Sequence, residues 1–447
     1  VPQQGLTLVA QYNKISVISP GAAGLGLVKE ISIPEGLFGF RTTPIAFSMD
    51  NSLGFVAGRN GHIHVIDMVS LTLFKTIDVG ASSNAISWFT ALAVAGNDLY
   101  VSEGSRVGGP GGGYRLIRID IDPTSTNFLK TDGQRQLQHD LLAQAPYGIA
   151  GMAASKDGRF LVLTTPKQGL GAAIYYQRKS GDVVIVDLQS VDPTGHIGDA
   201  RTVAFTGDNR GKTPLYVEAS TDRNKFTVSA ANDYNRGFYT LELTRDAQDN
   251  LAGAKILHNT LGGTNEKPED LRLGGLNNRQ QLNIQRSYGM AVTDDRKLAF
   301  VADYNYRHLD PHPYPYLQNI QNQGLYAGLS PMPGPTIPLS PREPKWEIGG
   351  KVGIIYDPFG EKPQLIGVTS PLMDGWVSNL ELSAAGTKLI ASLYVMDQNW
   401  GDGAPIYSNG LLVYDIKTLL DTINASSAEE LNRKGIDTLN PAAMPAL

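Results

Sequence analysis

Apolar and polar positions along this chain fall into short apolar runs separated by polar turns, and the runs recur in threes. The clearest triplet begins at Gly148, turns at Ser155-Lys156-Asp157-Gly158, continues through Phe160–Thr164 and ends on Val183–Asp187. Another runs from Thr43 through a turn at Ser48–Ser52 to Leu53–Ala57 and then His62–Asp67. Two more join Tyr288 to Leu298–Asp303 and Lys351–Asp357, and Val377 to Leu389–Tyr394 and Leu411–Asp415. Weaker copies are Phe89–Val94 with Leu99–Ser102 and Leu116–Asp120, and Leu215–Ala219 with Phe226–Ser229 and Gly237–Leu243. Runs this short, rich in β-branched residues and bounded by Asp, Asn, Gly and Ser, predict strands.

Six first strands therefore begin near residues 43, 89, 148, 215, 288 and 378. A small sheet with two apolar faces cannot bury both alone, so repeated sheets stack around an axis. The N-terminus adds Leu6–Ala10, Lys14–Ile18 and Val28–Ile33, which match strands two to four of a seventh sheet. Its first strand is expected from the tail, around Ile436–Leu439, so that the ring closes without exposed edges. The predicted fold is all-β: a seven-bladed β-propeller closed by N- and C-terminal segments sharing one blade. A pair of β-sandwiches is the competing architecture for the same runs. Residues 1–427 form the propeller, and 428–447 a short capped helix and closing segment. Ser427 to Glu430 reads as a capping box and Gly435 as a stop. Ahead of it, Ile416, Leu419, Leu420 and Ile423 have helical spacing, although a final strand fits the same stretch.

The turn Ser155-Lys156-Asp157-Gly158, the strand Phe160–Val162 and the run Val183–Leu188 together resemble the YVTN-type β-propeller repeat. That family is similar to surface-layer propellers and to lactonase-like seven-bladed propellers. The tetrapeptide that marks the family is closest at Leu99–Ser102 and Leu215–Glu218. The resemblance implies the fold and leaves the activity open.

Extra length collects in the connections between second and third strands: Gly104–Gly113, Pro166–Gly181, Asn232–Arg236, Asp303–Gly350 and Met396–Gly410. In a propeller all of these emerge on one face, while the first-to-second turns on the other face stay short. One elaborated face on a plain scaffold points to binding there. The longest connection holds nine of the 26 prolines between Pro311 and Pro344, with Tyr304, Tyr306, Tyr314, Tyr316 and Tyr326 beside or within it. Stiff backbone with amphipathic rings suits a recognition arm or lid, and suits irregular cover equally.

Composition narrows the chemistry. A net charge of −5 with no basic segment disfavours nucleic acid. The absence of Cys removes disulfides, thiol catalysis and Cys-based zinc sites. No apolar run reaches the roughly 18–20 residues of a membrane span. The chain opens on Val1-Pro2 without Met, which reads as processed or cut from a longer polypeptide. Walker, zincin and nucleophile-elbow motifs are missing. Gly21–Gly26 mimics a phosphate loop but has no helix behind it, so it reads as a turn.

His62 and His64 share one side of a strand, a metal-pair spacing that polar packing explains as well. His308, Asp310 and His312 with Asp303 open the long arm and offer imidazole and carboxylate. Asp397, Asn399 and Asp402 place oxygens at near-alternate positions in a loop resembling a calcium site, without the closing carboxylate of an EF-hand. The repeated Asp233-Tyr234-Asn235 and Asp303-Tyr304-Asn305 put two carboxylates and two tyrosines on one rim.

The reading favours a non-enzymatic module of a secreted or cell-surface protein, with the periplasm as the alternative compartment. It binds a protein or glycan through its loop-rich face, centred on Asp233, Tyr234, Asp303, Tyr304, Tyr306, His308, Trp400 and Tyr407. Calcium is the cofactor raised at Asp397, Asn399 and Asp402, while His308, Asp310 and His312 could hold zinc or a similar ion or equally hydrogen-bond the Pro-rich backbone. The alternative is a lactonase-like hydrolase with an axial active site, for which Glu103, Arg178, Arg236, Asp303 and Arg307 lie on suitable connections.

Overall fold

The turns that link first and second strands explain how the repeat builds itself. In the second blade Ser48 Oγ donates to Asp50 Oδ1 (2.6 Å) and accepts from the Leu53 amide (3.0 Å), while Asp50 accepts from the Ser52 amide (3.0 Å). The fourth blade repeats this with Ser155, Asp157, Phe160 and Arg159 at 2.6, 2.9 and 3.2 Å. The sixth does so with Thr293, Asp295, Leu298 and Lys297 at 2.6, 3.1 and 3.0 Å. In four of these turns one residue adopts a left-handed backbone: Asn51 (φ 59°), Gly158 (φ 70°), Arg296 (φ 60°) and, in the seventh blade, Gly386 (φ 65°). Gly and Asn take that conformation at little cost, and Arg does not.

In this computed structural model the described residues are all except 1–4, 12, 22–23, 38–42, 81–86, 106–113, 131–134, 146, 167–180, 206–213, 231–236, 260–286, 294, 304–350, 362, 370–374, 384, 397–406 and 426–447. Seven antiparallel sheets form a seven-bladed β-propeller. Blade 1 is β1 (Thr7–Gln11), β2 (Lys14–Gly21) and β3 (Gly24–Ser32). Blade 2 is β4 (Ile45–Phe47), β5 (Leu53–Ala57), β6 (His62–Asp67) and β7 (Thr72–Asp78). Blade 3 is β8 (Ser87–Ala95), β9 (Asp98–Ser105), β10 (Leu116–Asp120) and β11 (Arg135–Leu137). Blade 4 is β12 (Gly151–Ala154), β13 (Phe160–Pro166), β14 (Gly181–Asp187) and β15 (Ala200–Phe205). Blade 5 is β16 (Pro214–Ala219), β17 (Lys225–Ala230), β18 (Gly237–Arg245) and β19 (Leu251–Asn259). Blade 6 is β20 (Ser287–Val292), β21 (Leu298–Asp303), β22 (Lys351–Tyr356) and β23 (Gln364–Val368). Blade 7 is β24 (Gly375–Leu382), β25 (Lys388–Met396) and β26 (Tyr407–Asp415).

The first strands β4, β8, β12, β16, β20 and β24 lie side by side around the axis. Apolar clusters fill each gap between successive blades, from Leu8, Ile15 and Val17 against Val56, Ile66 and Met68 to Phe300 and Ile354 against Val377 and Leu389. Second strands are covered on both faces, so β13 is buried along its whole length. Fourth strands face solvent, and β7 is exposed at Thr72, Leu73 and Phe74.

The helix Ile416–Ala425 occupies the outer edge of blade 7, where a fourth strand would lie. Asp415 caps it by accepting from the Thr418 amide (2.8 Å), and Ile416 is buried against the blade. Helical spacing thus prevails over the strand alternative. The closing strand expected at Ile436–Leu439 and the capping box at Ser427 lie outside the described residues. One boundary shifts: β25 and β26 pair out to Met396 and Tyr407, so the last connection is 397–406 and Tyr407 belongs to a strand.

Candidate functional site

Strand direction decides which connections share a face. Second strands of blades 3 to 7 end at Ser105, Pro166, Ala230, Asp303 and Met396 on one side of the disk, and the first-to-second turns lie on the other. Asp303 closes β21 opposite Ser287 and Lys351, and Tyr407 opens β26 opposite Met396. The backbone therefore brings these two expected binding positions to the long-connection face. Asp233, Tyr234, Tyr304, Tyr306, His308, Asp397, Asn399, Trp400 and Asp402 lie outside the described residues, as do Arg178, Arg236 and Arg307.

Glu103 is described, and it is closed off. Its carboxylate is 2% exposed and accepts from Arg115 Nε (3.1 Å), from an Arg115 Nη2 contact and from the Arg115 amide (3.3 Å). Arg115 continues to the Val79 carbonyl (2.9 Å), so the pair ties blade 2 to blade 3. These bonds give the Glu103 carboxylate a structural role between the two blades.

His62 and His64 also take separate partners. His62 Nδ1 meets Glu35 Oε2 at 2.6 Å, and His64 Nδ1 meets Thr76 Oγ1 at 3.1 Å. Burial lowers the His64 pKa, which keeps that ring neutral. Among the described residues no group of three His, Asp or Glu is placed to hold a metal ion.

The site that sequence reasoning missed is the axial mouth on the short-turn face. A cavity of about 410 Å³ is lined by Ala46 and Phe47, Leu92–Val94, Met152–Ala154, Glu218 and Ala219, with turn residues Ser48, Met49, Asn51 and Arg296. These are the ends of the innermost strands of blades 2 to 5 and a turn of blade 6. Two positions before the turn Ser or Thr, blades 2, 4 and 6 carry Ala46, Ala153 and Ala291, each opposite the third residue of the second strand. Blades 5 and 7 carry Glu218 and Glu381 there, opposite Thr227 and Ile390. Blade 6 stands between them and contributes Arg296 from its turn. Glu218 and Arg296 thus line the cavity from neighbouring blades, and Glu381 of the next blade lies outside its lining but close enough to Glu218 for the two charges to interact.

Electrostatics in this ring are unbalanced. Glu218 is half-buried and Glu381 is exposed over the residue as a whole, with protein atoms around both carboxyls. Desolvation pushes Glu218 up to about 7, against the pull of Arg296. Desolvation and the charge of Glu218 push Glu381 up to about 7. Arg296 is half-buried, and its Nε is buried with no hydrogen-bond partner among the described residues. Such an atom costs roughly 1–3 kcal/mol until something binds it.

With this geometry the chain stands among the β-propellers. No family model and no curated protein matches it. Among solved structures it is similar to the Myceliophteria thermophila Cps50 (Swd1) β-propeller domain, at 10% identity and a TM-score of 0.51 over 87% of this chain and 90% of that one. It is also similar to a chain of the mitotic checkpoint complex, at 14% identity and a TM-score of 0.47 over 86% of this chain and 80% of that one. At such identities the likeness is one of fold. Among the described residues no helix is long and apolar enough to cross a membrane.

Proposed function

We propose that the chain is a non-enzymatic binding propeller of YVTN-repeat type, belonging to a secreted or cell-surface protein, which takes a protein or glycan on its long-connection face. The observation that carries this is directional. Strands β17, β21 and β25 of three consecutive blades end at Ala230, Asp303 and Met396 on the same side, while the opposite turns repeat one short hydrogen-bonded form. The likeness to the Cps50 (Swd1) propeller domain supports the scaffold and leaves the partner open.

Tyr234, Tyr304, Tyr306, Trp400 and Tyr407 supply the residue types that dominate recognition surfaces, with His308, Asp233 and Asp303 among them. Calcium at Asp397, Asn399 and Asp402 would order the same rim, and a calcium titration followed by tyrosine and tryptophan fluorescence tests it. For the main reading, residues 311–344 are replaced by a short Gly-Ser linker, and the variant is assayed on a glycan array and on intact cells. The expected variant melts as the parent does and loses binding. Unfolding of the variant would make the arm a packing element and remove the basis of the proposal.

A further inference from the structure

We propose that the axial mouth on the short-turn face is a second binding site, taking a small zwitterion of the amino-acid type whose carboxylate meets Arg296 and whose ammonium meets Glu218, within the field of Glu381. It is separate from the long-connection face and does not depend on what that face binds.

Three observations converge on it. First, the cavity is of about 410 Å³, near the small end of the range that holds compact ligands. Second, the charged side chains replace residues that the repeat itself would supply. Glu218 and Glu381 stand where three other blades have Ala, and Arg296 takes the left-handed position that Asn51, Gly158 and Gly386 hold in blades 2, 4 and 7, whereas Arg223 at the same offset in blade 5 is not left-handed. An Arg at φ 60° is a local strain that the turn does not need, because the hydrogen bonds around it match those around Gly158. Third, Arg296 makes no ion pair with Glu218 although the two interact electrostatically, and its Nε is left without a partner among the described residues. A guanidinium can bind a carboxylate by donating two parallel N–H bonds.

Charge selects the ligand class. An anion alone would satisfy Arg296 and be repelled by two carboxyls, and a cation alone would meet the guanidinium. Glu218 and Arg296 carry opposite charges on the same cavity wall, and a zwitterion gives each an opposite partner. Small Ala walls around the charges leave room for a short side chain. Of the turn carboxylates on this face, which also include Asp157 and Asp222, Asp50 and Asp295 are held below their ordinary range and fixed in their turns. For Asp50 the cause is hydrogen bonds from Ser48 and Ser52; for Asp295, bonds from Thr293 and the Lys297 amide outweigh desolvation.

The test is isothermal titration calorimetry on the full chain at pH 7.5, with glycine, L-alanine, L-glutamate and L-lysine as probes and acetate and methylamine as single-charge controls. Variants follow the repeat, so each introduces a residue that another blade already tolerates at that position: Arg296→Asn, Glu218→Ala and Glu381→Ala. At least one amino acid is expected to bind saturably, with acetate and methylamine weaker by about tenfold or more and each variant losing about tenfold or more. Absence of saturable binding by any of the four amino acids, acetate binding as tightly as they do, or unchanged affinity in Arg296→Asn would each overturn the proposal.

Discussion

Arg159 and Arg296 sit one position apart in the same turn of two blades, and they do opposite things. In blade 4 the left-handed residue is Gly158, and Arg159 follows it, pointing into the gap with blade 5. There it forms hydrogen bonds to Asp187 (2.8 and 3.2 Å), to Asp249 Oδ2 (2.8 Å) and to the Asp249 carbonyl (2.9 Å), stacked 4.9 Å over Phe160. In blade 6 the left-handed residue is itself Arg296, which lines the axial cavity, and the following Lys297 is exposed with only a 4.0 Å approach to Asp295. A fully partnered arginine holds two blades together. Arg296, in a left-handed backbone and with its Nε lacking a partner among the described residues, ties no second blade in this way and faces the cavity instead.

The largest expected effect comes from breaking the partnered member. Arg159→Ala leaves Asp187, only 6% exposed at its side chain, without its cation. Urea denaturation should show a loss of about 3 kcal/mol. Arg296→Asn should stay within about 0.5 kcal/mol of the parent in the same assay, as a substitution away from any stabilising network does. Equal losses at the two sites would abolish the contrast.

The turns themselves should be interchangeable. Ser155→Ala and Thr293→Val remove the same hydroxyl bonds to the Asp carboxylate and to the amide five residues on. Each should cost about 1–2 kcal/mol, and the two should agree within about 0.5 kcal/mol. Disagreement would mean that blade 6 depends on its turn differently from blade 4.

A smaller effect separates the carboxyls of the mouth from those of the turns. Glu218 and Glu381 lie near 7 in the folded chain against an ordinary 4.5, so the folded state binds more protons across that interval. Their contribution is complete below about 4.5 and is lost as pH rises through 7. His64, lowered by burial, acts in the opposite sense near 6.5, so the test is a difference. The melting temperature of Glu218→Ala/Glu381→Ala should fall less between pH 5 and pH 8 than that of the parent, by on the order of 1–2 °C. Parallel profiles would show that the mouth does not perturb these groups.

Much of the fold is readable from residues because second and third strands are buried on both faces and so appear as unbroken apolar runs, as in Phe160–Thr164 and Val183–Val186. The fourth strands were silent for the converse reason: β7 carries Lys75 and exposed Thr72, and its pattern resembles a loop. The site was harder. Glu218 was visible only as the last residue of the tetrapeptide Leu215–Glu218, where it looked like repeat grammar. Its meaning appears once blades are aligned on the turn hydroxyl, which sets Glu against Ala. Arg296 carried the same kind of signal, an Arg in a position of Gly and Asn, but only backbone angles show that the position is left-handed. Glu103 misled in the other direction, since nothing in its sequence neighbourhood announces that Arg115 closes over it.

The account rests on Arg296 being a cost to the scaffold, and one measurement addresses that alone: the melting temperature of Arg296→Gly against the parent, without ligand, at pH 5, where Glu218 and Glu381 are largely protonated. Relief of the left-handed strain should raise it by on the order of 1 °C. A lower melting temperature would show that Arg296 serves the fold, and would contradict its assignment to the mouth.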